Sequence, residues 1–315
     1  MRKFAFIFPG QGSQSTGMGF DLYNNSKSAK NIYDMADRVL EKRISKICFD
    51  GPDEQLKETI NAQSAIVTTS IAALEAFRNE CPDIKPTVTL GHSLGEYCAM
   101  YTSGVMSFET TIKAIQKRSE LMDLATKATK GTMAAIIGST VEIIEKALDE
   151  AGSLGLVQVA NYNDPTQIVI TGEIEAVAKA SEIIKAQGAR KVVPLAVSGG
   201  FHSKLMTSAT EAFKNYVKDI SLNDANIPVI TNVDSEMTTK AEDFRLKMPR
   251  QINSSVMWNQ SIQQAIHAGV DTFIEFGNGR VLAGLNRKIC PEIKTYNISN
   301  IESIKAIKEE LMIGV

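Results

Sequence analysis

The chain predicts an α/β fold: a large α/β-hydrolase-like domain with a parallel sheet, into which a small ferredoxin-like subdomain is inserted. Three observations predict it. Through residues 1–128, short apolar runs alternate with stretches of helical period, the pattern of strands buried on both faces between helices. Across residues 129–198 the order becomes strand-helix-strand-strand-helix-strand. From residue 199 to residue 315 the first texture returns, so the small unit interrupts the large one. Neither a fixed-period repeat nor a low-complexity tract breaks the chain.

Each element follows from its pattern. Lys3 to Phe8 is an apolar run short enough for a strand, and Ser28 to Leu40 and Gln63 to Asn79 carry the helical period. Thr87 to Leu90 is β-prone, and Glu96 to Tyr101 opens a helix. In the small unit, Met133 to Ile137 reads as a strand and Val141 to Glu150 as a helix. Leu156 to Ala160 and Gln167 to Thr171 are strands, Glu175 to Ala186 is a helix, and Lys191 to Val197 is the closing strand. Further strands are expected at Val229 to Asn232 and Thr272 to Phe276, with an amphipathic helix over Ser261 to His267.

Composition narrows the function. With 315 residues, 43% hydrophobic and 22% charged, the chain can bury one large core and a subsidiary one. A formal charge of -2 leaves no excess of Lys and Arg to neutralise phosphates, which argues against general nucleic-acid binding and against a membrane-surface role. The basic start, Met1 to Lys3, is followed by an apolar run that Pro9 stops too early for a signal peptide. No apolar stretch reaches membrane-spanning length, and a cytoplasmic location is expected. Cys48, Cys81, Cys98 and Cys290 are far apart without a C-x-x-C pair, so they are expected as buried thiols, with no disulfide framework and no metal site.

The chemistry concentrates at Gly91-His92-Ser93-Leu94-Gly95, between a strand and a helix. This is the nucleophile-elbow pattern: glycines two residues either side let the chain turn sharply and expose the serine hydroxyl at a helix N-terminus, where free N–H groups can meet an oxyanion. A serine nucleophile needs a base, and only His92, His202 and His267 are available. His267 lies on the amphipathic helix, and His92 adjoins Ser93 so that the two side chains diverge. His202, in the glycine-rich turn Val197 to Ser203, remains. Asp123, Asp164 and Glu173 fall between Ser93 and His202 without a distinctive setting, so a dyad oriented by a backbone carbonyl is as consistent with the residues as a full triad. The loop Phe8 to Gln14 ends the first strand at the carboxyl edge, where α/β sheets bind ligands; it lacks the lysine of a P-loop, but it can offer an N–H to an oxyanion hole and Gln11 or Gln14 as lining. Arg118 shares a helix face with Ile115 and Met122, and a guanidinium buried there calls for an anion.

Together, Gly10 to Gln14, Gly91 to Tyr97, Arg118, Phe201-His202-Ser203, Asn232-Val233-Asp234 and Gln251 resemble the ordered motifs of the malonyl-CoA:acyl carrier protein transacylases. They also resemble the acyltransferase domains of fatty-acid and polyketide synthases. The match runs from the N-terminus almost to the end of the chain. The resemblance implies malonyl transfer from malonyl-CoA to acyl carrier protein, with Ser93 as acyl-carrying nucleophile, His202 as its base and Arg118 as the clamp on the malonyl carboxylate. It implies oxyanion-hole N–H groups from Gln11 and Leu94, support of His202 by the Gln251 backbone carbonyl, and Asn161 in the cleft lining. Phe201 is similar to the malonyl-selective form of its motif and is expected to crowd an α-methyl branch. No metal or redox cofactor is required. Service to fatty-acid synthesis is expected, with a polyketide acceptor or a serine thioesterase as the alternatives. A thioesterase, however, has no need of Arg118, and a scaffold protein has no need of Ser93 and His202 together. Arg190 and Lys191 are candidates for carrier docking. Two loop departures, Gly200 and Asn278, are expected to loosen the site.

Overall fold

The computed structural model of the chain describes residues 2–312, so both termini of the expected large domain lie just outside the described residues. The run after Lys3 forms β1 (Phe4–Phe8). Its alternate residues face opposite ways: Phe6 and Phe8 enter one core, Ala5 and Ile7 the other. A strand buried on both faces needs no polar alternation, which is why this one reads as a solid apolar block. Phe6 meets the rings of Phe77 and Phe276 at centroid distances of 5.9 and 4.8 Å.

Between β1 and the next strand run α1 (Phe20–Asn25), α2 (Lys27–Val39), α3 (Ile44–Asp50), α4 (Asp53–Lys57) and the long α5 (Thr59–Glu80). Ser26 caps α2 by accepting the Ala29 N–H, a start signal of the usual kind. Helix α5 is buried around nearly its whole circumference, including its polar residues Asn61, Gln63, Thr68 and Ser70. Strand β2 (Pro86–Gly91) then leads into α6 (Gly95–Thr102) and α7 (Phe108–Ala128).

The small unit comprises β3 (Thr132–Ile137), α8 (Val141–Ala151), β4 (Val157–Asp164), β5 (Gln167–Gly172), α9 (Ile174–Ala186) and β6 (Lys191–Pro194). Its sheet has the order β4-β5-β3-β6 with every neighbouring pair antiparallel, the split strand-helix-strand arrangement expected from the sequence. Two boundaries differ from expectation. Strand β4 continues to Asp164 through irregularities at Val159/Asn161 and Tyr162/Asp164, which break the alternation that would have revealed it. Strand β6 stops at Pro194, which has no N–H for the ladder, so only four of the seven expected residues pair.

The chain returns through α10 (Thr207–Asp219), β7 (Val229–Ile230), β8 (Met237–Thr238), α11 (Ala241–Gln251), α12 (Trp258–His267), β9 (Thr272–Phe276), α13 (Val281–Ile289), β10 (Lys294–Ile298) and α14 (Ile301–Met312). The large sheet has the order β10-β9-β1-β2-β7-β8; all its pairs are parallel except β7 with β8 at the edge. Strand β7 is two residues shorter than expected because the Asn232 backbone bonds elsewhere, its N–H to Glu96 and its C=O to the Met257 N–H. The small sheet is tied to the large domain where Asn161 bridges Val256 and the Tyr162 N–H donates to the Val256 carbonyl. A cleft opens along this junction.

Candidate active site

Strands β1 and β2 lie side by side in register, Phe8 opposite Gly91, so the loops that follow them emerge together at the carboxyl edge of the sheet. The elbow is pressed against the end of β1, with the His92 N–H donating to the Phe8 carbonyl at 2.9 Å. A Cβ on Gly91 would lie 2.0 Å from the Gly95 carbonyl carbon, and one on Gly95 would lie 2.2 Å from the Phe8 oxygen. The glycines are therefore required by close backbone approach, and the left-handed residue of the turn is Ser93 itself, at φ 52°. A non-glycine residue held there costs roughly 1–3 kcal/mol and persists only under strong local constraint.

His202, also left-handed at φ 57°, projects from the turn that leaves the small unit. Its carbonyl accepts from Gln158 of β4 at 3.4 Å, and the Phe201 carbonyl accepts from the Thr171 hydroxyl at 2.8 Å, so the small sheet fixes the turn. The ring Nδ1 faces two carbonyls, Gln251 at 2.9 Å and Ser254 at 3.2 Å. Carbonyls only accept, which places the proton on Nδ1 and leaves the Nε2 lone pair to accept from the Ser93 hydroxyl at 2.7 Å. Gln251 is the last residue of α11, where carbonyls lack helical partners and carry the negative end of the helix dipole. The orienting group is thus backbone. Asp123 pairs with Lys127, Asp164 with Lys288, and Glu173 accepts the Leu156 N–H, so those three acids are engaged elsewhere.

Burial, with the Arg118 cation and His92 adding to it, pushes the His202 pKa down to about 3. The imidazole is therefore neutral and able to accept a proton at physiological pH. His92 is occupied on another side: its Nε2 meets Asn163 at 2.9 Å beside the Trp258 ring. His267 is exposed on α12.

Arg118 is 1% exposed, and its hydrogen-bond partners are neutral oxygens. One terminal nitrogen donates to Gln63 at 2.6 Å; the other donates to Gln251 at 3.0 Å and to the Ser93 hydroxyl at 3.1 Å. The Tyr97 ring lies 5.8 Å from the guanidinium carbon. Among the described residues the buried Nε has no partner. A guanidinium with only three of its five N–H groups engaged, all by neutral oxygens, and lining a cleft is prepared to take a carboxylate. Gln63 was not singled out by the sequence, since one polar residue among the several in α5 has no distinguishing mark.

The cleft has a volume of about 320 Å³. Gln11, Leu94, Asn161 and Phe201 line it together with Ser93, His202 and Arg118. The N–H groups of Ser93 and Gly95 are taken by Asn232 and His92, which leaves Leu94 as the elbow amide to meet an oxyanion. Gln14 accepts from the Gly12 N–H, bracing its own loop. Lys57 at the rim and the apolar Met133, Leu195 and Val197 were not anticipated. Asn278 donates to the Ser13 carbonyl and to Ser15, tying its loop to the one that carries Gln11. The Gly200 carbonyl likewise accepts from Ser203 at 2.6 Å. Arg190 and Lys191 are exposed at the start of β6, about four residues or 13 Å along the strand from the cleft. Three larger surface hollows, of about 690, 620 and 500 Å³, contain none of the cleft residues.

A family model described as an acyl transferase domain matches residues 5–291. The malonyl CoA-acyl carrier protein transacylase of Bacillus subtilis (strain 168) is 44% identical over 315 residues, covering 98% of this chain and 99% of the relative. The chain belongs to the malonyl-CoA:acyl carrier protein transacylase family of acyl transferases. Staphylococcus aureus (strain MRSA252) has a transacylase of this family that is 39% identical over 310 residues, covering 98% of this chain and 99% of its own. Solved family structures agree closely: the acyl carrier protein S-malonyltransferase of Vibrio cholerae O1 superposes with a TM-score of 0.94 at 36% identity, covering 97% of this chain and 100% of that one. A malonyl-transacylase in complex with a type II PKS acyl-carrier protein also reaches 0.94, at 34% identity over 98% and 99% of the two chains. Among the described residues no helix is long and apolar enough to cross a membrane.

Proposed function

We propose that the protein moves a malonyl group from malonyl-CoA to the phosphopantetheine thiol of acyl carrier protein through an ester on Ser93. One observation carries the reading: the Ser93 oxygen sits 2.7 Å from an imidazole nitrogen able to accept its proton and 3.1 Å from a buried guanidinium without a charged partner. Family membership and the carrier-bound structural relative support the same donor and acceptor.

The malonyl carboxylate pairs with Arg118, whose terminal N–H groups exchange their neutral partners Ser93 and Gln251 for its oxygens. His202 Nε2 takes the hydroxyl proton as Ser93 Oγ bonds to the thioester carbon. The Leu94 and Gln11 amides receive the oxyanion. The C–S bond then breaks, and the coenzyme A sulfur leaves with the proton held on His202. The carrier thiol repeats the sequence in reverse, losing its proton to His202 and restoring the Ser93 hydroxyl. These steps need no metal or redox cofactor, because the protein supplies the base, the anion site and the oxyanion donors.

The catalytic unit is assigned to residues 1–128 and 199–315, the small unit to 129–198, and the location to the cytoplasm on the composition of the chain. Fatty-acid synthesis is the process supplied. A polyketide carrier is the second reading, favoured by the carrier named in the structural relative. Intact-protein mass after mixing with malonyl-CoA tests the function. A malonyl adduct at Ser93 that disappears on adding carrier protein supports transfer, whereas steady thiol release without carrier or adduct overturns it in favour of hydrolysis.

A further inference from the structure

Asn232 is fully buried, and all its polar groups are engaged. Its side-chain oxygen accepts the Ser93 N–H at 2.7 Å, and its side-chain nitrogen donates to the Gly91 carbonyl at 2.7 Å. Its own N–H donates to the buried carboxyl of Glu96 at 2.6 Å, in the first turn of the helix that the elbow starts. In a parallel ladder, one residue bonds the carbonyl before and the N–H after its opposite residue. Strand β7 makes such a ladder with β2 only at Thr89/Val229 and Leu90/Ile230. Beyond it, the Asn232 side chain makes the two bonds, to Gly91 and Ser93, that a further backbone rung opposite His92 would have made. The amide thus replaces a peptide unit where the elbow turns away from the sheet.

From the other side, the Gln251 side chain donates to the Ser93 carbonyl at 2.9 Å. The left-handed serine is therefore held at both its N–H and its C=O by side-chain amides, a degree of constraint that such a conformation needs. We propose that Asn232, seated on Glu96, is a positioning residue that extends the β2–β7 ladder through its side chain and holds Ser93 in the conformation that directs Oγ at His202. The proposal rests on Ser93 being the nucleophile. It assigns Asn232 no contact with substrate, because the Arg118 partners are Gln63, Gln251 and Ser93.

The test is single-turnover malonylation of the full chain by malonyl-CoA, read by intact mass, with steady-state kinetics and circular dichroism on the same samples. Asn232→Ala is expected to lower the acylation rate and kcat by about 10²-fold, the usual cost of ångström-scale misplacement, with KM within about twofold of wild type. Asn232→Asp preserves shape but, when ionised, has no proton for the Gly91 carbonyl. The charged groups around that position are Glu96, Asp234 with its partner Lys247, and Arg118. As pH falls from about 8 to about 5.5, protonation of the introduced carboxyl restores the donor, so the rate of this variant relative to wild type is expected to rise. Retention of kcat within about threefold in Asn232→Ala, or losses in both variants that merely track their unfolded fraction, would overturn the proposal. Absence of adduct on the wild-type chain would instead unseat the functional reading.

Discussion

The two walls of the cleft are built on opposite principles. The wall on the large sheet is polar and dense: Ser93, His202, Arg118, Gln251 and Gln63 are joined by hydrogen bonds of 2.6 to 3.1 Å in a setting from which water is largely excluded. The wall from the small sheet presents Met133, Leu195 and Val197 on or beside its edge strand, with side chains that direct no hydrogen bonds. A reacting group must be held to a fraction of an ångström, which requires fixed donors and acceptors. An acyl group need only be excluded or admitted by shape, which apolar side chains achieve by packing. The polar wall is suited to hold reacting groups and a carboxylate, and the apolar wall to admit or exclude an acyl group by shape.

The largest break is on the polar wall. Ser93→Ala is expected to abolish the malonyl adduct and transfer with the fold intact, as read by intact mass and circular dichroism; a labelled mutant would remove Ser93 from its role. His202→Ala is expected to slow acylation by about 10² to 10⁴. Because burial and Arg118 hold the wild-type imidazole neutral down to about pH 3, the free-enzyme kcat/KM is expected to show no His202 titration near the ordinary value of about 6.5. An acid limb centred there would contradict the buried geometry.

Next in size is the clamp. Arg118→Ala is expected to lose about 2–4 kcal/mol of malonyl kcat/KM, the range for a buried charge-assisted pair, while acetyl transfer is retained. Equal losses for malonyl-CoA and acetyl-CoA would make Arg118 structural. A smaller change is expected across the junction of the walls: Phe201→Ala should raise methylmalonyl relative to malonyl kcat/KM by about 10-fold, the scale of one methyl group in a shaped pocket. An unchanged ratio would move acyl selection away from Phe201.

The smallest effect concerns stability. Burial raises the Glu96 carboxyl to about 7, so between about pH 4.5 and 7 the folded chain holds a proton that the unfolded chain has released, and this group's contribution falls as pH rises. His202 works in the opposite sense: its lowered folded pKa makes stability fall as pH drops below about 6.5. Glu96→Gln keeps an acceptor for the Asn232 N–H but removes the first slope. Its Tm is therefore expected to climb more steeply than that of wild type from about pH 5 to 6.5. Parallel curves would show that Glu96 does not titrate in that window.

Some of this was legible in residues. The elbow could be read because close approach at Gly91 and Gly95 tolerates no Cβ, a demand that leaves a sequence mark. Arg118 could be read because helical spacing placed a guanidinium on an apolar face. The orienting partners of His202 could be narrowed only to a carbonyl or an acid, since a backbone carbonyl is common to every residue. Asn232 was legible only as part of the Asn232-Val233-Asp234 motif, and its bonds to Gly91 and Ser93 had no sequence signal because they depend on where the neighbouring strand turns away.

By itself the sequence determined the alternation of strands and helices and the inserted small unit, and it singled out Ser93, His202 and the buried Arg118 as site candidates, because periodicity, glycine constraints and residue chemistry are local properties. Only the tertiary structure decided that Gln251 and Asn232 converge on Ser93 from positions 158 and 139 residues away, and that Gln63 meets Arg118 across 55 residues. It also decided that Asn278 ties together two loops 265 residues apart. Such contacts depend on which strands become neighbours and where their ends emerge, and no single segment of the chain carries that information.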